Sequence, residues 1–212
     1  LPAGWDLAGP TLLKLLESGT ERQQKNAVWR MTSLHHHPEE ALPAFLDILT
    51  RPGQSADVRG GILWMLGRMG SSAASLADAV RETATEKKWL INRKRFALAS
   101  ISPDPDEKRE QLAHLMQNYR DDPEWLTLRQ IGLIRGMDHT ILPFFRDLLH
   151  RGFREQSKEL RPYLLREIIY RATNFPDPGT AFNLYRGVLA DLADPRFRHK
   201  DLQPLADAAA EA

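Results

Sequence analysis

The chain has 212 residues, 42% of them hydrophobic and 27% charged, the balance of an ordinary soluble globular protein with length enough for a continuous core. No apolar run approaches the roughly 18 residues a membrane-spanning helix needs, and the absence of Cys excludes disulfides, thiol catalysis and thiolate metal sites. A formal net charge of +1 gives no whole-protein field that would point to nucleic acid.

Leu1 to Pro10 reads as a lead-in that packs Trp5 and Leu7 over the first helices. Thr11 to Leu16 opens a helix that Gly19 ends, and Gln23 to Leu34 is its partner, with Ala27, Val28, Met31 and Leu34 inward. The clearest hairpin spans Ala41 to Gly70. Leu42, Phe45, Leu46 and Leu49 form one helical stripe, Arg51-Pro52-Gly53 breaks it, and Val58, Ile62, Met65, Leu66 and Met69 form the next. Gly70 is placed to stop that second helix.

Leu76 to Ala84 predicts a weaker, Ala-rich helix, followed by Trp89 to Ile101. Ser102-Pro103-Asp104-Pro105 is a firm break before a helix over Glu107 to Tyr119. Asp121-Asp122-Pro123 turns the chain into Trp125 to Met137, and Ile141 to Leu149 pairs with Pro162 to Thr173. The loop Asn174 to Gly179 precedes a last helix over Thr180 to Leu192, and the Ala-rich end after Pro204 forms a cap or a frayed tail. No segment alternates with period two, so the expected fold is all-α.

The second helices align on one basic residue. Lys25, Arg59, Arg93, Arg129 and Arg166 recur at intervals of 34, 34, 36 and 37, and two units share Trp-Leu-x-x-Arg, at Trp89 to Arg93 and at Trp125 to Arg129. A hairpin that cannot bury its own apolar faces, repeated at such a period, predicts a solenoid.

At this point the chain resembles HEAT-like repeats, including the short kind of phycobilin lyase-related proteins. Leu42-Pro43 with Leu46 and Leu49 is similar to the family's first helix. Val58-Arg59, Leu66-Gly67 and Met69-Gly70 are similar to its second, and Ile141-Leu142-Pro143 to another first-helix start. The resemblance implies a right-handed α-α superhelix of about five hairpins plus a C-terminal cap. It forms a single domain over 1–212, with repeats near 10–36, 38–70, 72–103, 106–138 and 139–174 and the cap over 178–212. The Asp that the family often places six residues before the Arg is replaced here by Gly19, Gly53, Lys87, Pro123 and Leu160.

The second helices hold fourteen Lys or Arg against four Asp or Glu. In HEAT-like arrays these helices line the concave face, so the resemblance implies a basic inner groove on an acidic body. The residues expected to form it are Lys25, Arg59, Arg93, Lys94, Arg129, Arg135, Arg166 and Arg171. Trp89 and Trp125 form an aromatic edge, each four residues before an Arg, a spacing that suits cation–π contact. A purely structural role for these rings, covering the turns between helices, stands beside a base-stacking one. Gly60 and Gly61, where neighbouring units carry Lys94, Arg95 and Gln130, leave the second repeat to set the geometry and the third to make the heavier contacts.

The sequence holds no nucleophile elbow, phosphate-binding Gly loop or HExxH motif. Three consecutive His, His35 to His37, point in different directions at a helix end and do not converge on one ion. Asp104, Asp106 and Glu107, and Asp121 and Asp122, read as helix caps rather than catalytic carboxylates. Catalytic residues, cofactors and metals are therefore not expected.

The expected function is a non-catalytic scaffold whose basic face captures an acidic protein segment or another anionic ligand. A nucleic-acid-binding protein, with the HEAT-like alkylpurine DNA glycosylases as a fold-level analogy, is the alternative, and a structural module of a longer chain is the second. The partner and the oligomeric state are not written in these residues. The lack of Cys slightly favours the cytoplasm, while the start at Leu1 leaves a periplasmic or secreted location after signal-peptide removal open.

Overall fold

The computed structural model describes residues 4–32 and 39–152, which form helices, turns and loops with no strand among them. The chain divides into two compact units, residues 1–123 with 133–135, and residues 124–132 with 136–212. No helix among the described residues is long and apolar enough to cross a membrane.

The first unit holds α1 (Gly4–Ser18), α2 (Glu21–Thr32), α3 (Leu42–Thr50), α4 (Ala56–Met69), α5 (Ala77–Glu82), α6 (Lys88–Ile101) and α7 (Pro105–Asp121). The first helix starts earlier than its sequence predicts and takes Pro10 inside it. Trp5 explains the extension. Its ring folds onto Gly9, where a Cβ would lie 2.6 Å away, and its Nε1 donates to Glu40 at 2.8 Å. Burying the indole offsets the backbone hydrogen bond that Pro10 cannot donate.

The breaks follow local chemistry. After α3 the Arg51 N–H bonds Asp47 O, and Gly53 turns the chain at φ +71°. Ser55 caps α4 by accepting from the Val58 N–H, and Gly70 ends it at φ +62°. The Ala-rich stretch yields less helix than predicted. Gly70–Leu76 winds as a 3-10 turn, and α5 itself has only six residues. Asp104 accepts from the Asp106 N–H at the start of α7, with Pro105 in its first turn.

Helices α1, α3 and α5 contact one another in succession, and α2, α4 and α6 do the same, so the hairpins stack as two rows. Helix α7 packs on α6. Between the rows lies a core built on Leu16, Met31, Phe45, Ile48, Ile62, Leu63, Met65 and Leu66, all fully buried. Three glycines of α4 let its neighbours come close. A Cβ at Gly61 would fall 1.9 Å from Val28 Cγ1 of α2, and Cβ atoms at Gly60 and Gly67 would each fall 2.3 Å from ring atoms of Trp89 and Phe96 of α6. Gly60 and Gly61 are thus buried helix-packing positions.

In the second unit α8 (Trp125–Leu133) is shorter than predicted and α9 (Asp138–Gly152) longer. Gly136, at φ +73°, lies in the turn between α8 and α9. Leu128, Ile131, Ile141, Phe144, Phe145 and Leu148 are buried. The predicted helices over Pro162 to Thr173 and Thr180 to Leu192 lie outside the described residues.

Candidate functional site

The basic residues that share one register in the sequence meet three different environments. Lys25 Nζ lies 2.9 Å from Glu21 Oε1 on its own helix and 2.9 Å from Asp57 Oδ2 on α4. This hydrogen bond, more than any other influence, holds the Asp57 carboxyl below its ordinary range, with the charges of Lys87 and Arg93 adding to it. The same contacts raise Lys25 and lower Glu21. Lys25 is therefore an ion-paired link between neighbouring helices.

Arg59 donates from Nη2 to Arg51 O at 3.0 Å, the residue that ends α3. Lys94 Nζ donates to Arg81 O and, at 2.9 Å, to Thr83 O, at the end of α5. Two further cations act alike: Arg68 Nη1 donates to Thr32 O at 2.6 Å, and Arg51 Nη2 to Glu17 O at 3.2 Å. The last carbonyls of a helix lack intrahelical donors and bear its negative pole, so cations are stabilising there. Four basic side chains close the ends of α1, α2, α3 and α5. Three of the four, Arg59, Arg68 and Lys94, belong to the second helices, and Arg51 stands between α3 and α4.

Arg93 is different. Its guanidinium carbon sits 4.9 Å from the centre of the Trp89 ring, and its Nη1 would lie 3.0 Å from a Cβ at Gly60. The side chain is half-buried and its Nε has no hydrogen-bond partner. Burial pushes the guanidinium below its ordinary range, and the Asp57 charge opposes that only in part. Among the described residues no Asp or Glu pairs with it; Asp57, the acid whose charge it feels, is engaged by Lys25. Arg59 Nε is likewise buried without a partner. Lys94 and Arg95 beside Arg93 are also lowered by burial.

Helix geometry explains why the register does not produce one face. Asp57 and Arg59 are two residues apart, about 200° around α4, so the side that meets Lys25 is opposite the side that sends Arg59 to α3. Arg93 and Lys94 are about 100° apart, one directed to α4 and the other to α5. Arg129 and Arg135 are exposed. Arg166 and Arg171 lie outside the described residues, as does the Trp125 side chain.

Two features had no clear sequence signal. Asp57 is the acid around which Lys25, Lys87 and Arg93 gather, although it reads along the chain as a first-turn residue. Gln130 is 1% exposed, and neither its Nε2 nor its Oε1 has a partner. Among the described residues no group of three His, Asp or Glu side chains is placed to hold a metal ion. His35 to His37 lie outside them. The arrangement around Arg93 offers a desolvated cation beside an aromatic wall, suited to holding an anion rather than to moving a proton.

No family model matches the chain, and no curated protein or solved structure matches it.

Proposed function

We propose that the chain is a HEAT-like α-solenoid, a right-handed superhelix of about five hairpins with a C-terminal cap, acting as a non-catalytic scaffold for an acidic protein segment or other anionic ligand. The stacking of α1, α3 and α5 and of α2, α4 and α6 in two rows supports the architecture. One observation carries the function: Arg93 is half-buried against Trp89 with no carboxylate partner among the described residues. A cation held out of water and left unpaired is costly, and an incoming carboxylate with two oxygens matches the guanidinium fork. The Trp89 ring positions that fork and excludes water from one side.

The test is fluorescence anisotropy with a labelled oligoglutamate peptide on the full chain. Charge reversal, Arg93→Glu, is expected to abolish binding, and Arg93→Met, which avoids placing a carboxylate beside Asp57, to abolish it while leaving the thermal midpoint nearly unchanged. Retained binding in either variant would refute the role of Arg93. Duplex DNA, titrated across a salt series, is the control: tight binding that falls steeply with salt would replace this reading with nucleic-acid binding.

A further inference from the structure

Helix α2 has two occupied sides and one open side. Gln24 Nε2 donates to Leu16 O of α1 at 2.8 Å, while Val28 rests on Gly61 and Lys25 on Asp57 of α4. Arg22, Asn26, Trp29 and Arg30, at the i, i+4, i+7, i+8 spacing of one helix face, are all exposed. Trp29 is 62% exposed, the most open aromatic ring among the described side chains. The guanidinium of Arg30 lies 5.0 Å from its centre. The single acid of α2 is Glu21, and Lys25 already engages it.

An exposed indole flanked by arginines is the composition of an interface anchor, since Trp and Arg dominate binding hot spots. The charge of the face fixes the sign of its partner. Arg22 and Arg30 stand eight residues apart, about 12 Å along the axis. Four residues of extended chain cover about 13 Å. We infer that this face of α2 docks a short acidic peptide segment, with Trp29 taking an apolar side chain and Arg22 and Arg30 taking carboxylates about four positions apart. The inference rests on the anionic-partner reading above for the class of partner, but uses a different surface. A short segment fits better than a nucleic acid. Polyanion affinity grows with the number of phosphates neutralised, and this face offers few cations on a chain of net charge +1.

The probe is a fluorescein-labelled peptide with two Glu four positions apart and a Leu between them, titrated into the full chain at low salt. Trp29→Ala is expected to weaken binding about tenfold or more, and the pair Arg22→Glu and Arg30→Glu to abolish it. A probe with Ser in place of Leu should bind as weakly as the Trp29→Ala variant binds the original. In an Arg93→Glu background, which removes the other proposed anion site, the probe should still bind and keep its dependence on Trp29, which separates the α2 face from the Arg93 site. Circular dichroism melts of the α2 variants should stay close to the parent, because the altered side chains are exposed and lie outside the core. Unaltered binding in the Trp29 and Arg22/Arg30 variants overturns the inference, as does its loss in Arg93→Glu. Equal binding of oligothymidine with the same sensitivities also overturns it, in favour of a nucleic-acid surface.

Discussion

Lys25 of α2 and Asp57 of α4 meet at 2.9 Å across 32 residues of sequence, tying one hairpin to the next. Both side chains are largely exposed, so the link contributes modest stability. Its pH dependence has a definite sign. The folded-state pKa of Asp57 lies below its ordinary 3.8, chiefly through the Lys25 hydrogen bond. The stabilisation is fully present above that value and is lost as pH falls through the lower, folded-state value. A carboxyl NMR titration of Asp57 should therefore show a midpoint below 3.8. In Lys25→Met the midpoint should rise; an unchanged midpoint would mean that the pair does not form in solution.

The close approach of α2 to α4 at Gly61 yields a compensation test. A Cβ at Gly61 collides with Val28 Cγ1 at 1.9 Å. Gly61→Ala gains about 0.5–1 kcal/mol of helix preference but overpacks a buried contact at about 1–3 kcal/mol. Net destabilisation of about 1–2 kcal/mol is expected in urea unfolding. Adding Val28→Ala removes the colliding methyl, and the double variant should be more stable than the sum of the two single changes predicts. Simple additivity would show that the helices do not touch there.

The helices around these contacts were legible because their causes are local. Gly70 after α4 and Asp104, read as a cap, before α7 each act within a turn of where they stand. The extent of α1 was not legible, because the Trp5–Glu40 hydrogen bond that anchors its first turn spans 35 residues. The basic register of Lys25, Arg59 and Arg93 was visible as a pattern, but not what each cation meets. Lys94 reaches the end of α5 only after tertiary packing brings that end to it. The Trp89–Arg93 contact was readable from its four-residue spacing, and it is present at 4.9 Å.

Lys94 is expected to behave as a helix-end residue. Its ammonium satisfies Arg81 O and Thr83 O, and burial lowers its pKa, so the charge is held where the negative pole of α5 compensates it. Lys94→Met keeps the apolar stem and deletes the donor. Destabilisation of about 1 kcal/mol should follow, together with faster amide exchange in residues 77–83. An exchange profile identical to the parent would leave Lys94 free for a ligand-binding role.

The Arg81–Glu107 pair should be sensitive to acid. Arg81 Nε and Nη2 donate to the two Glu107 oxygens at 2.8 and 2.7 Å, and Ser102 Oγ donates to Glu107 as well. These bonds, led by that of Arg81, hold the Glu107 carboxyl below its ordinary 4.5. The stabilisation is present above 4.5 and fades as pH drops through the depressed folded-state value. Glu107→Gln should cost about 1–3 kcal/mol at neutral pH and flatten the acid limb of the stability profile. A parallel profile in the variant would place the acid sensitivity elsewhere.

Arg93 allows a decisive separation of structure from function. A cation retained for stability and one retained for a ligand respond oppositely to an apolar replacement of similar length. Arg93→Met removes a half-buried charge that has no carboxylate partner among the described residues, while preserving contact with the Trp89 ring and the cover over Gly60. Replacing such a charge by an apolar side chain is neutral or stabilising when nothing depends on the charge within the fold. The urea midpoint of the variant is therefore expected to match or exceed that of the parent, while oligoglutamate binding is lost. A lower midpoint with binding intact would make the Trp89–Arg93 pair a packing device and leave the anion to be sought at the α2 face. A lower midpoint with binding lost is resolved by Arg93→Lys, which keeps the charge but not the fork. A ligand-binding guanidinium then fails to be rescued in affinity even where stability returns.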